Sequence, residues 1–564
     1  MRNLTARLVA IAALVLGAVS APAATTLYTK DNAPATPKLE DLALKDSVSQ
    51  YGITWTFDKP ARVGQFITGD WYVIGPVTIK AIDPAPVFGK DVLANPEWTA
   101  VPKKDDKGKA ILDARGKPTY DYVSVDDAEI KAFGGGNARL KGDEKDKLTA
   151  NPNYCRNGSV LNLQPTLDKS GLDSRVRHEI YSPALTTHLP IAMKAGDTLV
   201  SAASKKKLVK PKHYSPIEDV AILTCLKDPV PADAFRPGYC DREQTIYLAR
   251  NLKRELLPTV EPVAAAPNVD ALLKYFSRPW MEYNLFHEDH GPNQLDGYGQ
   301  GLARRGGDTA LLLCTNLKPE DKEPLLLAYT QFGLDLWGML KAGYTGWQAY
   351  GGWNSGHKLP IILAGVLLGD EKMSYPSKTY PKASFQEDEQ TAYGRSWTGA
   401  PVVFLGHSGI DTATGQGRIR GSNDWGPYEH LHPSKWLPSQ WQSEAYRRCC
   451  TSRAWIGATL AAKLLKLEKY WDHDAYFDYE DRWMTEDETA AVKVMADLGH
   501  AQPDWGREGQ VEIKFHEEMW AKYRPTLQPA VDAWKKKAPT DPGFQKAQSQ
   551  PVDPKNAPKP PVDE

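Results

Sequence analysis

The apolar residues of this chain change their spacing once, near Pro267, and that change constrains the fold more than any other feature. Before it come short runs bounded by Gly, Pro or Asp: Ile53-Thr54-Trp55-Thr56-Phe57, Gly64-Gln65-Phe66-Ile67-Thr68, Trp71-Tyr72-Val73-Ile74 and Val77-Thr78-Ile79. β-Branched and aromatic side chains suit a pleated, half-buried surface, so these runs predict an antiparallel β domain. After it, Val269, Leu272, Leu273 and Phe276 fall at helical spacing. So do the flanks of Leu311-Leu312-Leu313 and the stretches 325–340, 361–368 and 454–467. Pro319-Glu320 starts one of these helices and Gly343 stops it. The fold class predicted is multidomain α and β: an N-terminal antiparallel β domain followed by a C-terminal (α/α) toroid. In a toroid, short turns lie at one end and long polar, aromatic loops surround a cleft at the other.

Residues 1–23 have the three parts of an export signal: basic Arg2 and Arg7, an apolar run from Leu8, and the small residues Ala21-Pro22-Ala23-Ala24. The apolar run is too short to cross a bilayer comfortably, and no later segment reaches about 20 apolar residues. A secreted or periplasmic protein without a membrane anchor is therefore expected. Residues 24–265 form the β-rich domain, interrupted at 103–147 by a Lys- and Asp-rich insertion too poor in apolar residues for its own core. Residues 266–536 form the helical catalytic domain. Residues 537–564, rich in Lys, Pro, Gln and Asp, are expected as a disordered tail.

Export permits disulfides among Cys155, Cys225, Cys240, Cys314, Cys449 and Cys450. Cys225 and Cys240 would close a short proline-rich loop. Cys449 and Cys450, adjacent within a predicted helix, are expected as two buried thiols. No C-x-x-C pair exists, which removes the common thiolate zinc sites. The sequence also lacks a P-loop, a G-x-G-x-x-G after a strand, a G-x-S-x-G elbow and an H-E-x-x-H.

Lys and Arg total 69 against 70 Asp and Glu, so a global field for nucleic acid is absent. Tryptophan is unusual at 17 residues against 13 phenylalanines, a bias that suits flat, amphipathic ligands such as sugars. Seven of the twelve histidines and ten of the tryptophans lie between residues 287 and 483. That region holds the candidate chemistry.

Within it, Trp347-Gln348-Ala349-Tyr350-Gly351-Gly352-Trp353-Asn354-Ser355-Gly356-His357 is an aromatic, glycine-rich loop before an apolar helix. Trp347 and Trp353 can stack on sugar rings while Asn354 and His357 reach their substituents. Farther on come Arg395, Trp397, His407, Arg420, Trp425 and Tyr428 in one glycine-punctuated stretch. A guanidinium such as Arg420 can hold a uronate carboxylate bidentately while a phenol such as Tyr428 handles protons. Tyr446 and Arg447 could face the same cleft, whereas Glu444 and Arg448, four apart, can pair on a helix face. The acids Glu288, Asp289, Asp296, Asp388, Glu429 and Glu444 would instead suit a glycoside hydrolase. A noncatalytic glycan-binding envelope protein is the third reading.

The Trp-Asn-Ser-Gly-His loop, the Arg and Tyr beyond it and the export signal resemble secreted (α/α)-toroid polysaccharide lyases of the alginate-lyase-like kind, over about residues 267–535. The resemblance implies β-elimination on an acidic, uronate-containing polysaccharide, without a cofactor or metal. It implies Asn354 as a neutraliser of the carboxylate, His357 as neutraliser or base, Arg420 as carboxylate clamp and Tyr428 as base and acid. His407 and Tyr446 compete for the proton-transfer role. Members that are helical throughout leave the strand-rich N-terminal half unexplained.

Overall fold

The computed structural model describes residues 26–86, 98–102, 108, 120–124, 157–165, 187–204, 217–279, 299–411, 416–417, 419–420, 423–424, 427–500, 513–537, 540–542 and 544–545. The expected export signal, most of the polar insertion, Cys155, the acids near His287, Asp296 and Trp425 lie outside these residues. So does the side chain of Arg420.

The chain is mixed α and β, with a β-rich N-terminal domain and a helical C-terminal region. Its strands are β1 (Ala43–Gln50), β2 (Ile53–Gln65), β3 (Trp71–Ile74), β4 (Val77–Asp83), β5 (Trp98–Pro102), β6 (Tyr120–Ser124), β7 (Gly158–Leu161), β8 (Ile191–Met193), β9 (Thr198–Ser204) and β10 (Ile217–Leu226). Eight of them form one sheet in the order β7-β9-β10-β3-β2-β4-β8, with β1 also paired to β2. β5 and β6 make a separate antiparallel pair whose second strand falls in the expected insertion. All pairings in the main sheet are antiparallel except β10 with β3. The 13-residue β2 is long enough to pair β4 through residues 54–57 and β3 through 63–65, with exposed Asp58-Lys59-Pro60 between.

Strand alternation gives the sheet two apolar faces. Leu199, Ala221, Leu223 and Cys225 join Trp55, Val73 and Ile79 on one face. Val200, Ala202, Val220 and Ile222 point the other way and enter the core of the helical region. The sheet is thereby built into the helical core along one side. Arg236, fully buried in the connecting segment, binds Asp70 at 2.9 Å and Asp335 at 2.7 Å, tying sheet to helix. A buried guanidinium needs such paired carboxylates to offset its desolvation.

The helices of eight or more residues among the described ones are α1 (Val269–Phe276), α2 (Gly299–Leu313), α3 (Pro319–Lys341), α4 (Lys358–Leu368), α5 (Pro438–Tyr446), α6 (Ser452–Leu464), α7 (Asp474–Thr485), α8 (Thr489–Asp497) and α9 (Lys514–Tyr523). The Asn268 side chain caps α1 by accepting from the Ala271 N–H at 3.0 Å. Gly343 ends α3 with φ +88°, as its position predicts. α3 is buried almost end to end and is the central helix of this half. Its Gly333 allows close approach to α4: a Cβ there would sit 2.3 Å from the Pro360 carbonyl oxygen. Gly307 of α2 meets Gly457 of α6 in the same manner.

Two cysteine expectations are corrected. Cys225 and Cys240 are free buried thiols, because each points into apolar packing on a different side of the sheet. Cys449 and Cys450 are bonded to each other, in a π-helical turn (Arg447–Thr451) inserted between α5 and α6. Within the expected tail, Asp541 accepts from the Tyr393 N–H at 2.8 Å and Phe544 is buried against Ala392, Val403 and Leu405. No helix among the described residues is long and apolar enough to cross a membrane.

Candidate functional site

The aromatic loop 346–357 is held by the acidic turn Gln386–Glu389, which packs beneath it through a two-residue parallel pairing of Gly346-Trp347 with Ser384-Phe385. Gln386 accepts from the Asn354 N–H at 2.8 Å and donates to the Gly351 carbonyl at 2.6 Å and Ser355 Oγ at 2.8 Å. Glu389 accepts from the Ala349 N–H at 2.8 Å and Glu387 from the Gly356 N–H at 2.6 Å. Asp388 accepts from Trp471 Nε1 at 2.9 Å and pairs with buried Lys358. Burial raises the Glu387 carboxyl above its ordinary value, opposed by the Gly356 N–H. It lowers the Lys358 ammonium, opposed by Asp388. These acids therefore hold backbone and one lysine in place, and are unavailable as a paired hydrolytic couple.

This support brings one set of predicted residues together. Gly351, at φ +55°, donates its N–H to the His407 carbonyl at 2.9 Å. A Cβ on Gly351 would fall 2.8 Å from both His407 Cε1 and Tyr446 Cδ1, so position 351 needs glycine for space as well as for backbone. The His407 ring lies edge-on to Tyr446 at 4.5 Å and to Tyr350 at 4.7 Å between ring centres. Ser443 accepts from the His407 N–H at 3.1 Å, which fixes that loop to α5. The Gln390 amide nitrogen lies 3.0 Å from the Gly351 carbonyl and 3.1 Å from that of His407. Tyr350, Trp353, Asn354 and Tyr446 are half-buried and His407 is nearly enclosed. The Asn354 side-chain amide donates to the Gln348 carbonyl at 2.7 Å. The arrangement is an imidazole between two partly open phenols, beside the loop that carries the Asn354 primary amide.

Other predicted residues go elsewhere. His357 is 3% exposed, stacks on fully buried Trp347 at 5.2 Å, and its Nδ1 lies 2.9 Å from the Asn354 carbonyl oxygen. Both belong to the core under the loop. Tyr428 is fully buried and donates to Glu444 at 2.6 Å, with Trp436 edge-on at 4.8 Å. Burial, then Glu444, pushes its phenol well above the ordinary value. Arg447 donates to Tyr479 at 2.8 Å, Glu444 at 3.0 Å and Glu488 at 3.1 Å. Burial alone would lower this guanidinium, but Tyr479, Glu444 and the neighbouring carboxylates hold it well above its usual value. Arg395 is exposed, and Trp397 packs edge-on to His432 at 5.4 Å.

Arg447, Arg448 and Arg482 with Glu429, Glu444, Glu486 and Glu488 form one buried ionic network. The cleft beside it, lined also by Trp397 and Trp436, has about 20 Å³ of solvent-accessible space, enough for a water and not for a sugar. A larger open depression, about 420 Å³, is lined by Tyr393, Lys469, Asp472, His473 and Asp541 and includes none of the predicted residues. Residues missed from sequence are Gln386 and Gln390, which build the loop, and Tyr479, Arg482 and Glu488, which build the network. For α7 a signal existed: Tyr476, Tyr479, Glu480 and Trp483 share one helical face.

No protein-family model, curated protein or solved structure matches this chain.

Proposed function

We propose that this is an exported polysaccharide lyase that cleaves a uronate-containing polymer by β-elimination, its helical half closing as an (α/α) toroid around the loops. The observation that carries the reading is the His407 imidazole set against Tyr446 and Tyr350 beside the Asn354 loop. The C5 proton of a uronate becomes removable only when its carboxylate charge is neutralised, so a neutralising donor and a base must share one place. Asn354 supplies the amide donor. Tyr446 passes its phenol proton to His407 and, as the phenolate, removes the C5 proton, and the electron pair moves to form the C4–C5 double bond as the C4–O bond breaks. The departing oxygen takes the proton that Tyr446 removed from C5, His407 returns the phenol proton, and no cofactor is needed for the balance. Tyr428, enclosed and bonded to Glu444, serves this scheme by supporting α5 rather than by touching substrate. A guanidinium, from Arg420 or Arg395, would complete the neutralisation of the carboxylate.

The test is a panel of alginate, glucuronan and glycosaminoglycans read by the ultraviolet absorbance of unsaturated uronate ends. Turnover is expected on one of them, falling about 100-fold or more in Tyr446→Phe and in His407→Ala while binding persists. New reducing ends on neutral glycans without that absorbance would replace this reading by hydrolysis. Binding without turnover across the panel would replace it by a glycan-binding protein.

A further inference from the structure

We propose that the Cys449–Cys450 bond is a thiol–disulfide exchange site, through which a dithiol sets the register of the turn carrying Arg447 and Arg448 next to Tyr446. Adjacent cysteines close no chain loop, and the loop entropy that makes most disulfides stabilising is correspondingly negligible here. Stapling is therefore not what this bond does. Successive side chains on an α-helix diverge by about 100°, so neighbouring sulfurs do not meet on a regular helix. Here the chain leaves α geometry at this place: Arg447–Thr451 is a π turn, and Thr451 has φ −117° and ψ −76°. The extra residue of the π turn and the bond occupy the same five positions, and π insertions in helices are frequent at functional sites.

Access favours exchange. Cys449 is exposed and Cys450 half-buried, whereas Cys225, Cys240 and Cys314 are enclosed. Burial pushes the thiols of Cys225 and Cys314 up to about 12, which keeps them unreactive. An incoming thiolate attacks Cys449 Sγ, the S–S bond breaks, and Cys450 leaves as a thiolate that takes up a proton. The second thiol of the reductant then attacks the mixed disulfide and releases Cys449. The protein gains two electrons and two protons, and the dithiol becomes a disulfide.

The turn is wired to its surroundings. Gln300 donates to the Cys449 carbonyl at 2.7 Å, anchoring the turn to the start of α2. Arg447 and Arg448 sit 5.1 Å and 5.9 Å over the Trp483 ring while holding Glu444 and Glu488. Release of the bond lets the turn regain α spacing, which rotates these guanidinia relative to Trp483 and moves Tyr446 against His407. The proposal rests on the turn and not on the lyase reading, and its readouts use no turnover.

The oxidised full-length protein is incubated with dithiothreitol under native conditions, alkylated with iodoacetamide and mapped by mass spectrometry. Tryptophan emission and hydrogen exchange are followed in parallel. Alkylation of both Cys449 and Cys450 is expected, with Cys225, Cys240 and Cys314 unlabelled. It should be accompanied by an emission shift that Trp483→Phe loses and by faster exchange confined to the segment around residues 447–451. The double variant Cys449→Ser/Cys450→Ser should show that exchange pattern without reductant. Failure to label the pair, labelling without any change in exchange or emission, or labelling of the enclosed cysteines together with it would each overturn the proposal.

Discussion

The far face of the sheet and the core of the helical half are both buried, but they are made of different material. The first carries no charge: Trp55, Val73, Ile79, Leu199 and Leu223 pack together, and its buried hydroxyls, Ser159 and Ser201, satisfy each other and the Trp55 indole N–H. The second encloses Lys358, Asp388, Glu429, Arg447, Glu480 and Arg482 among Trp347, Trp455 and Trp483. A surface that only has to hold a domain together can rely on apolar burial, which needs no directional partners. A region that must fix long loops at set positions uses charged groups, because each accepts only a few geometries and costs heavily when left alone. The contrast marks the helical half as the part in which position matters as well as stability.

The largest effect expected of breaking this contrast is at Arg482, which is 1% exposed and binds Glu429, Glu486 and the Val402 carbonyl. Arg482→Met leaves Glu429 in the interior with the Phe404 N–H and a 3.6 Å contact to Arg447 in place of its two-pronged pair, and should cost about 3–5 kcal/mol in denaturant unfolding. Adding Glu429→Leu should recover much of that loss, since the under-paired buried charge goes with it. A recovery of nothing would mean that packing, and not charge pairing, is what Arg482 contributes. On the sheet, Leu199→Ala should cost about 2–5 kcal/mol by lost transfer and cavity formation. That cost should stay the same across the pH range in which the carboxylates titrate, as the ionisable side chain of that apolar cluster, Cys225, has its thiol pushed up to about 12 by burial. Dependence on pH there would erase the distinction drawn between the two cores.

How much of this was legible depended on how far away the deciding partner lies in the chain. α3 could be read from its apolar spacing, Pro319 and Gly343, all local signals. The change from strands to helices was likewise visible, because period is a property of neighbours. The role of Glu387-Asp388-Glu389 was not, since their partners are the Gly356 and Ala349 amides and Lys358, some 30–40 residues back. Tyr428 looked like a proton-transfer group until Glu444 and Trp436 enclosed it. His357 lay in the right loop but faces Trp347 underneath it. His407 and Tyr446 were among the candidates, yet only the space left by Gly351 sets them against each other. The Cys449–Cys450 bond was expected not to form because the segment reads as a regular helix, and the π turn is what that reading lacked.

The smallest effect tests the helical core from the other direction, by removing a carboxyl whose oxygens have no hydrogen-bond partner among the described residues. Both oxygens of Glu480 are buried without a hydrogen-bond partner among the described residues, on the face of α7 that carries Tyr476. Burial, reinforced by Asp481 and opposed by Arg447, raises its carboxyl well above the ordinary value. A folded-state value above the unfolded one means that the folded protein holds the proton more tightly. The resulting stabilisation is complete below the unfolded value of about 4.3 and is lost as pH rises towards the folded value. Glu480→Gln keeps the shape and carries no proton to lose. Its melting temperature should match the parent's in acid and exceed it increasingly as pH rises to neutrality, with the difference isolating this one group from the paired carboxylates around it. Equal melting temperatures at every pH would show that Glu480 ionises freely where it stands. The helical core would then be admitting water at α7, and its likeness to the sealed face of the sheet would end there.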